Sequence, residues 1–229
     1  MLDFQCAIFD LDGTLLDSMP VWDHLAEHYL LQNGRTPAPD LRATLAAMDM
    51  RESADYLIST YSLSTTPETL MDDMNALAMT AYRTSVQPKP GVPAYLAALH
   101  ARGVRLAIAT ATDRPPVEAA LRRLSLLQYF DTLFTCTEVG KSKRHPDIFL
   151  AAMHALGGSL ANTVVFEDSL HAIRTAKSAG FRVIAIPDAS AAHDRAEIKR
   201  IADVWLNSYA EALSTLQPAE GRQLSSRGA

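Results

Sequence analysis

Cysteine is nearly absent: Cys6 and Cys136 are the only two, and both sit in apolar runs. A disulfide framework in a chain this long would use more, so both read as reduced core residues of a cytoplasmic protein. Nothing approaches the ~18 consecutive apolar residues of a membrane span. The opening stretch MLDFQCAIFD lacks a basic start and carries aspartate, so it does not read as a signal peptide. Positive charge is in deficit too: Lys+Arg total 21 against 26 Asp+Glu, a formal net charge of −5. A polyanion held by charge alone calls for a basic protein, so nucleic acid is not expected. A small phosphorylated metabolite needs only local positive charge and stays open. Repeats and low-complexity tracts are missing. What remains is 229 residues, 48% hydrophobic and 21% charged, which suits one globular core with room for a smaller insert. Oligomeric state is not legible, and a monomer is compatible with these patterns.

Five short apolar runs stand out at residues 6–9, 104–109, 133–136, 163–166 and 182–186, with a sixth candidate at 204–206. Runs this continuous suit strands covered on both faces. Segments between them, such as 116–127 and 146–156, have helical spacing. Alternating strands and helices imply a Rossmann-like parallel sheet with helices on both sides, an α/β fold. Residues 16–87 break the alternation and read as helices at 21–31, 39–48, 52–61 and 67–82. Asn33-Gly34 ends the first of these, and Thr66-Pro67 starts the last, with Thr66 capping and proline at the first helical position. The expected organisation is therefore a core from 1–15 and 88–216, an all-helical cap at 16–87, and a frayed polar tail at 217–229. Pro88-Lys89-Pro90-Gly91 looks like the return hinge.

Four segments carry chemistry, three of them directly at strand ends. Asp10-Leu11-Asp12-Gly13-Thr14 follows the first run directly. Ligands in open parallel sheets bind beyond the carboxyl ends of strands. Two carboxylates one residue apart can hold a hard cation and leave one oxygen to react. Gly13 permits a sharp turn that brings backbone N–H groups toward a phosphate. An ordinary Asp-Gly turn explains less, because acids capping a buried strand are costly unless paired. Phe166-Glu167-Asp168-Ser169 brings two more acids to the same edge. Helix capping accounts for one of them, not for all four acids together. Ala109-Thr110-Ala111-Thr112-Asp113 offers a hydroxyl and N–H groups for phosphate oxygens, although a capping threonine before Pro115-Pro116 is the simpler explanation. Lys141-Ser142-Lys143-Arg144 is either a solvated basic loop or the source of a cation for a phosphate dianion. Spacing alone does not say which cation points inward.

In order and in strand-end context, Asp10-Leu11-Asp12-Gly13-Thr14, Thr110, Lys143 and Glu167-Asp168 resemble the haloacid dehalogenase superfamily. The helical insert resembles the cap of the subgroup containing β-phosphoglucomutase and phosphoglycolate phosphatase. The resemblance implies a nucleophilic Asp10 that forms an aspartyl phosphate, and an Asp12 that acts as general acid and then general base. It implies phosphoryl binding by Thr110, with Gly13, Thr14 and Ala111 around the substrate. Lys143 would neutralise phosphate, because the family lysine stands three residues before the proline of a run like Pro146-Asp147-Ile148-Phe149. Mg²⁺ would be held by Asp10, the Asp12 backbone carbonyl and Asp168, with Glu167 acting through water or from behind. Where the family usually has proline after the lysine, this chain has Arg144; where many members have glycine, it has Ala172. The mutases' hinge histidine is matched by Trp22 and their cap arginine by Met50, with Arg51 beside it. Those two departures favour a Mg²⁺-dependent phosphatase over a phosphosugar mutase. Asp12 argues against a true dehalogenase, and retention of the whole acid–lysine set argues against a non-catalytic module. His24 and His28 stand four apart without a third ligand, and the methionines at 48, 50, 71, 74 and 79 read as cap core.

Overall fold

Alternation within the apolar runs builds the core. The computed structural model describes residues 3–45, 48 and 50–216; the tail expected at 217–229 lies outside them. The strands are β1 Cys6–Phe9, β2 Leu16–Asp17, β3 Gln87–Pro88, β4 Arg105–Thr110, β5 Thr132–Thr135, β6 Thr163–Glu167, β7 Arg182–Ala185 and β8 Val204–Trp205. The first four helices are α1 Met19–Gln32, α2 Leu41–Leu45, α3 Met50–Tyr61 and α4 Pro67–Thr84. Then come α5 Val92–Ala101, α6 Arg114–Arg123, α7 Cys136–Val139, α8 Asp147–Ala155, α9 Leu170–Ser178, α10 Arg195–Ile201 and α11 Tyr209–Thr215.

Six strands form one parallel sheet in the order β5-β4-β1-β6-β7-β8. Successive strand side chains point to opposite faces. Ala7 and Phe9 of β1 accordingly join one core layer, with Leu106, Ile108, Val164 and Phe166, under α5, α6 and α11. Cys6 and Ile8 join the other, with Ala107, Ala109 and Val165, under α8, α9 and α10. Burial on both faces is why these strands read as unbroken apolar runs. The chain leaves β1 for β4 and β5 on one side and then crosses to β6, β7 and β8 on the other. The switch point therefore falls at the carboxyl end of β1, between those of β4 and β6.

Helices α1 to α4 form the cap. Leu25, Leu30, Leu41, Ala54, Leu57, Leu70 and Met74 make its own apolar centre, and Met50 and Met71 pack against it. Thr66 caps α4, its hydroxyl accepting from the Thr69 amide at 3.2 Å, with Pro67 at the start of the helix. Three details depart from the sequence expectation. The block at 16–87 is not wholly helical: Leu16–Asp17 pairs antiparallel with Gln87–Pro88 and ties the two cap connections together. A two-residue strand has no period to detect, and proline is tolerated at such an edge. The helix expected at 116–127 runs instead over Arg114–Arg123, because Ser125 turns to φ +56° and the Leu126 amide closes back on the Leu121 carbonyl at 2.8 Å. Asp113, not a threonine, holds its N-cap position. Among the described residues no helix is long and apolar enough to cross a membrane.

Candidate active site

Parallel register sets the site. Phe9 pairs with Ile108 on one side and Phe166 on the other, so the residues just beyond β1, β4 and β6 meet at one edge. Asp10 follows β1, its amide donating to the Phe166 carbonyl at 2.9 Å. Thr110 ends β4 and Glu167 ends β6. The chain then turns through Leu11–Leu16, with the Leu15 and Leu16 amides both returning to the Leu11 carbonyl. Gly13 has φ +78°, and a Cβ there would stand 2.4 Å from Asp168 Oδ2. Glycine is thus required twice, for its backbone angle and for the approach of Asp168.

Asp10, Glu167 and Asp168 are buried, with ligand oxygens within 4.8 Å of one another. Lys143 is buried among them; its ammonium donates to Asp10 Oδ1 and, at 2.8 Å, to Glu167 Oε2. Lys141 and Arg144 face outward. Gly140, at φ +72°, ends α7 and opens the loop that carries Lys143. Burial would lower the lysine's pKa, but Asp10 and Glu167 more than offset it and hold it above the ordinary range. Burial, then Glu167 and Asp12, push the Asp10 carboxyl up to about 8 against the pull of Lys143. Asp168 is raised for the same kind of reason, by burial, Glu167 and Asp10. Glu167 goes the other way: burial alone would raise it, yet Lys143 and the Ser169 donors keep it low.

One ammonium against three buried carboxylates leaves excess negative charge, which neutral Asp10 and Asp168 relieve only by giving up ionised oxygen. A hard divalent cation relieves it without that loss, and an all-oxygen donor set suits one. Glu167 is the least available ligand: Oε2 takes Lys143, and Oε1 takes the Asp168 and Ser169 amides and the Ser169 hydroxyl at 3.0–3.2 Å. It supports Lys143 and the turn into α9 from behind.

Thr14 is fully buried; its hydroxyl donates to Asp168 Oδ1 at 3.0 Å and its carbonyl accepts from Tyr209 at 3.1 Å. Thr110 is buried, its hydroxyl accepting from the Thr112 amide at 3.1 Å. A cavity of about 660 Å³ opens over the acids, and its lining includes Asp10, Asp12, Ala111, Lys143 and Asp168. Three contacts escaped the sequence reading. Ser18, Thr112 and Tyr82 all donate hydroxyl hydrogen bonds to the Asp12 carboxylate, the first two at 2.6 Å. Ser18 and Ser169 occupy the N-cap positions of α1 and α9, but neither side chain caps its helix. Their hydroxyls are turned to the acids instead. A capping serine next to an acidic motif was the available signal for both; Tyr82 offered none, because it falls in the apolar phase of α4.

The site is thus a group of buried acids around a buried lysine at the switch point of a parallel α/β sheet. Residues 7–186 match the haloacid dehalogenase-like hydrolase family. The chain is 28% identical over 180 residues to a phosphorylated carbohydrates phosphatase of Thermotoga maritima, covering 79% of this chain and 83% of that protein. It is 30% identical over 183 residues to a fructose-1-phosphate phosphatase of Escherichia coli, covering 77% and 93%. The solved structure of CbbY from Rhodobacter sphaeroides in complex with phosphate superposes with a TM-score of 0.75 at 25% identity, covering 91% and 96%. The chain belongs to the haloacid dehalogenase-like hydrolase family. Its activity is that of a phosphatase.

Proposed function

We propose that the chain hydrolyses a small phosphomonoester metabolite with Mg²⁺ as resident cation, by way of a phosphoryl group carried on Asp10. The observation that carries this is the Asp10 carboxylate, buried against Lys143 and grouped with Asp168 under an open cavity. A phosphorylated sugar is the favoured substrate class, supported by the names of the carbohydrate-phosphate relatives.

In the first step an Asp10 carboxylate oxygen attacks phosphorus and the bond to the leaving oxygen breaks. Asp12 donates its proton to that oxygen. In the second step water attacks the phosphorus of the aspartyl phosphate, Asp12 takes the water's proton, and the bond to Asp10 breaks to release phosphate. Thr110, Lys143 and the Ala111 backbone hold the phosphoryl oxygens, while the Gly13 amide donates to the Leu16 carbonyl at 3.0 Å and Thr14 is fully buried beside Asp168. A carboxylate is a weak nucleophile, so most of the acceleration comes from in-line positioning and from neutralising charge. Asp10, Asp168 and the Asp12 carbonyl would hold Mg²⁺, which offsets the negative charge developing on the phosphoryl oxygens.

A mutase must grip the far phosphate of a bisphosphate intermediate. The groups present do not favour that: Trp22 is committed to Tyr82, Met50 packs in the cap, and Arg51 is tied to Glu68 at 2.5 Å and Asp55 at 3.6 Å. The test is phosphate release from a phosphomonoester panel with and without Mg²⁺, with glucose 6-phosphate formation from β-glucose 1-phosphate followed in parallel. Mg²⁺-dependent phosphate release is expected; glucose 6-phosphate without net release would overturn the hydrolase reading.

A further inference from the structure

Asp12 is held more elaborately than a carboxylate at a turn requires. Its Oδ1 accepts two hydroxyls, from Ser18 at 2.6 Å and from Tyr82. Its Oδ2 accepts one, from Thr112 at 2.6 Å. The three donors come from different places: the first cap connection, the end of α4, and the loop after β4. Each carboxylate oxygen accepts about two hydrogen bonds. Oδ1 is therefore filled, and the free position is on Oδ2.

Tyr82 is itself fixed at both ends. Its side chain is fully buried, and its hydroxyl accepts the Trp22 indole N–H at 2.9 Å. The two rings meet edge to face, with centroids 6.2 Å apart. Its carbonyl accepts from Arg123 of α6 at 3.2 Å, which anchors the end of α4 to the core. Trp22 stands on α1 and packs against both the cap centre and the core layer beneath it. A chain of hydrogen bonds thus runs from the first cap helix, through a buried phenol, to the carboxylate at the cavity edge.

We propose that Tyr82 is a positioning residue for the proton-transfer step, fixing Asp12 so that Oδ2 carries the transferable proton, with Trp22 holding the phenol in place. This rests on Asp12 being the proton donor proposed above. Tyr82 touches neither substrate nor cation in this role; it acts through Asp12. A phenol suits the task because it is rigid and can accept from the indole while donating to the carboxylate.

The experiment compares Tyr82→Phe, Trp22→Phe and Asp12→Asn on two probes. One is p-nitrophenyl phosphate, whose leaving oxygen needs little proton help; the other is the best alkyl phosphate of the panel. The quantity read is kcat/KM, which covers the steps through phosphoryl transfer to Asp10. Asp12→Asn is expected to lose about 10²-fold or more on the alkyl phosphate and far less on p-nitrophenyl phosphate. Tyr82→Phe should lose about tenfold on the alkyl phosphate and no more than about twofold on the other, with Trp22→Phe smaller in the same direction. A damaged fold would lower both probes together, and melting curves check that independently. If Asp12→Asn loses equally on both probes, the proton-donor assignment itself fails. If Asp12→Asn discriminates but Tyr82→Phe is unchanged, raised, or lowered equally on both, the positioning role is overturned while the assignment of Asp12 stands.

Discussion

Replacing Gly13 with alanine tests the acidic centre through a single methyl group. The new Cβ would stand 2.4 Å from Asp168 Oδ2 and 2.8 Å from its Cγ, and the backbone there is at φ +78°. An ordinary contact needs about 3.4 Å, so Asp168 must retreat by roughly 1 Å or rotate. Retreat strains the 3.0 Å bond from Thr14 that fixes the carboxylate. Mg²⁺ binds oxygen at about 2.0–2.1 Å in near-ideal octahedral geometry, so a shift of that size removes a ligand. The left-handed backbone adds about 1–2 kcal/mol. In a chain of this size that is a fall in Tm of roughly 2–8 °C. The expected variant is therefore folded but needs about 10–100-fold more Mg²⁺ for half-maximal phosphate release. Thermal melting by circular dichroism and an Mg²⁺ titration of activity read the two effects separately. Wild-type Mg²⁺ dependence in a folded Gly13→Ala protein would refute the assignment of Asp168 as a ligand.

Thr14→Val keeps the volume and removes the hydroxyl donated to Asp168, so the Mg²⁺ requirement should rise about tenfold while turnover at saturation changes little. Lys143→Met leaves Asp10 and Glu167 buried without their shared cation; activity should vanish and stability should fall by about 3–5 kcal/mol, read by denaturant unfolding at pH 7. The metal-free protein should have a pH signature. Asp10 is raised from 3.8 to about 8 in the fold, so its protonated form is the favoured one, and stability declines as pH climbs through that window. Glu167 is lowered, so its contribution is already complete above 4.5 and does not oppose the decline. Tm measured without Mg²⁺ should drop between pH 5 and pH 8, and Mg²⁺ should raise it more at pH 8 than at pH 6. A flat profile in both conditions would contradict the charge account.

Much of the site was legible because buried parallel strands make acids conspicuous. Asp10 and Glu167 each end an unbroken apolar run, where an uncompensated carboxylate is costly. Lys143 was harder, since Lys141, Lys143 and Arg144 look alike along the chain; the family resemblance singles it out by its spacing from Pro146, and the fold turns it inward. The donors to Asp12 were hidden for a different reason. Ser18 looks like a helix cap, Thr112 like loop polarity, and Tyr82 like one more apolar position on α4. Their shared target emerges only when the cap connections, paired as Leu16–Asp17 with Gln87–Pro88, bring residues 12, 18 and 82 together. Trp22 was legible as a departure from the mutases, but its bond to Tyr82 depends on the packing of α1 against α4.

The most direct test of the central claim is to trap the phosphoryl group on the enzyme. Rapid acid quench of a ³²P-labelled phosphomonoester turnover, followed by digestion, should place hydroxylamine-sensitive label on the peptide containing Asp10, with none in Asp10→Asn. A folded Asp10→Asn protein that still turns over substrate, or label found on any other peptide, would contradict it.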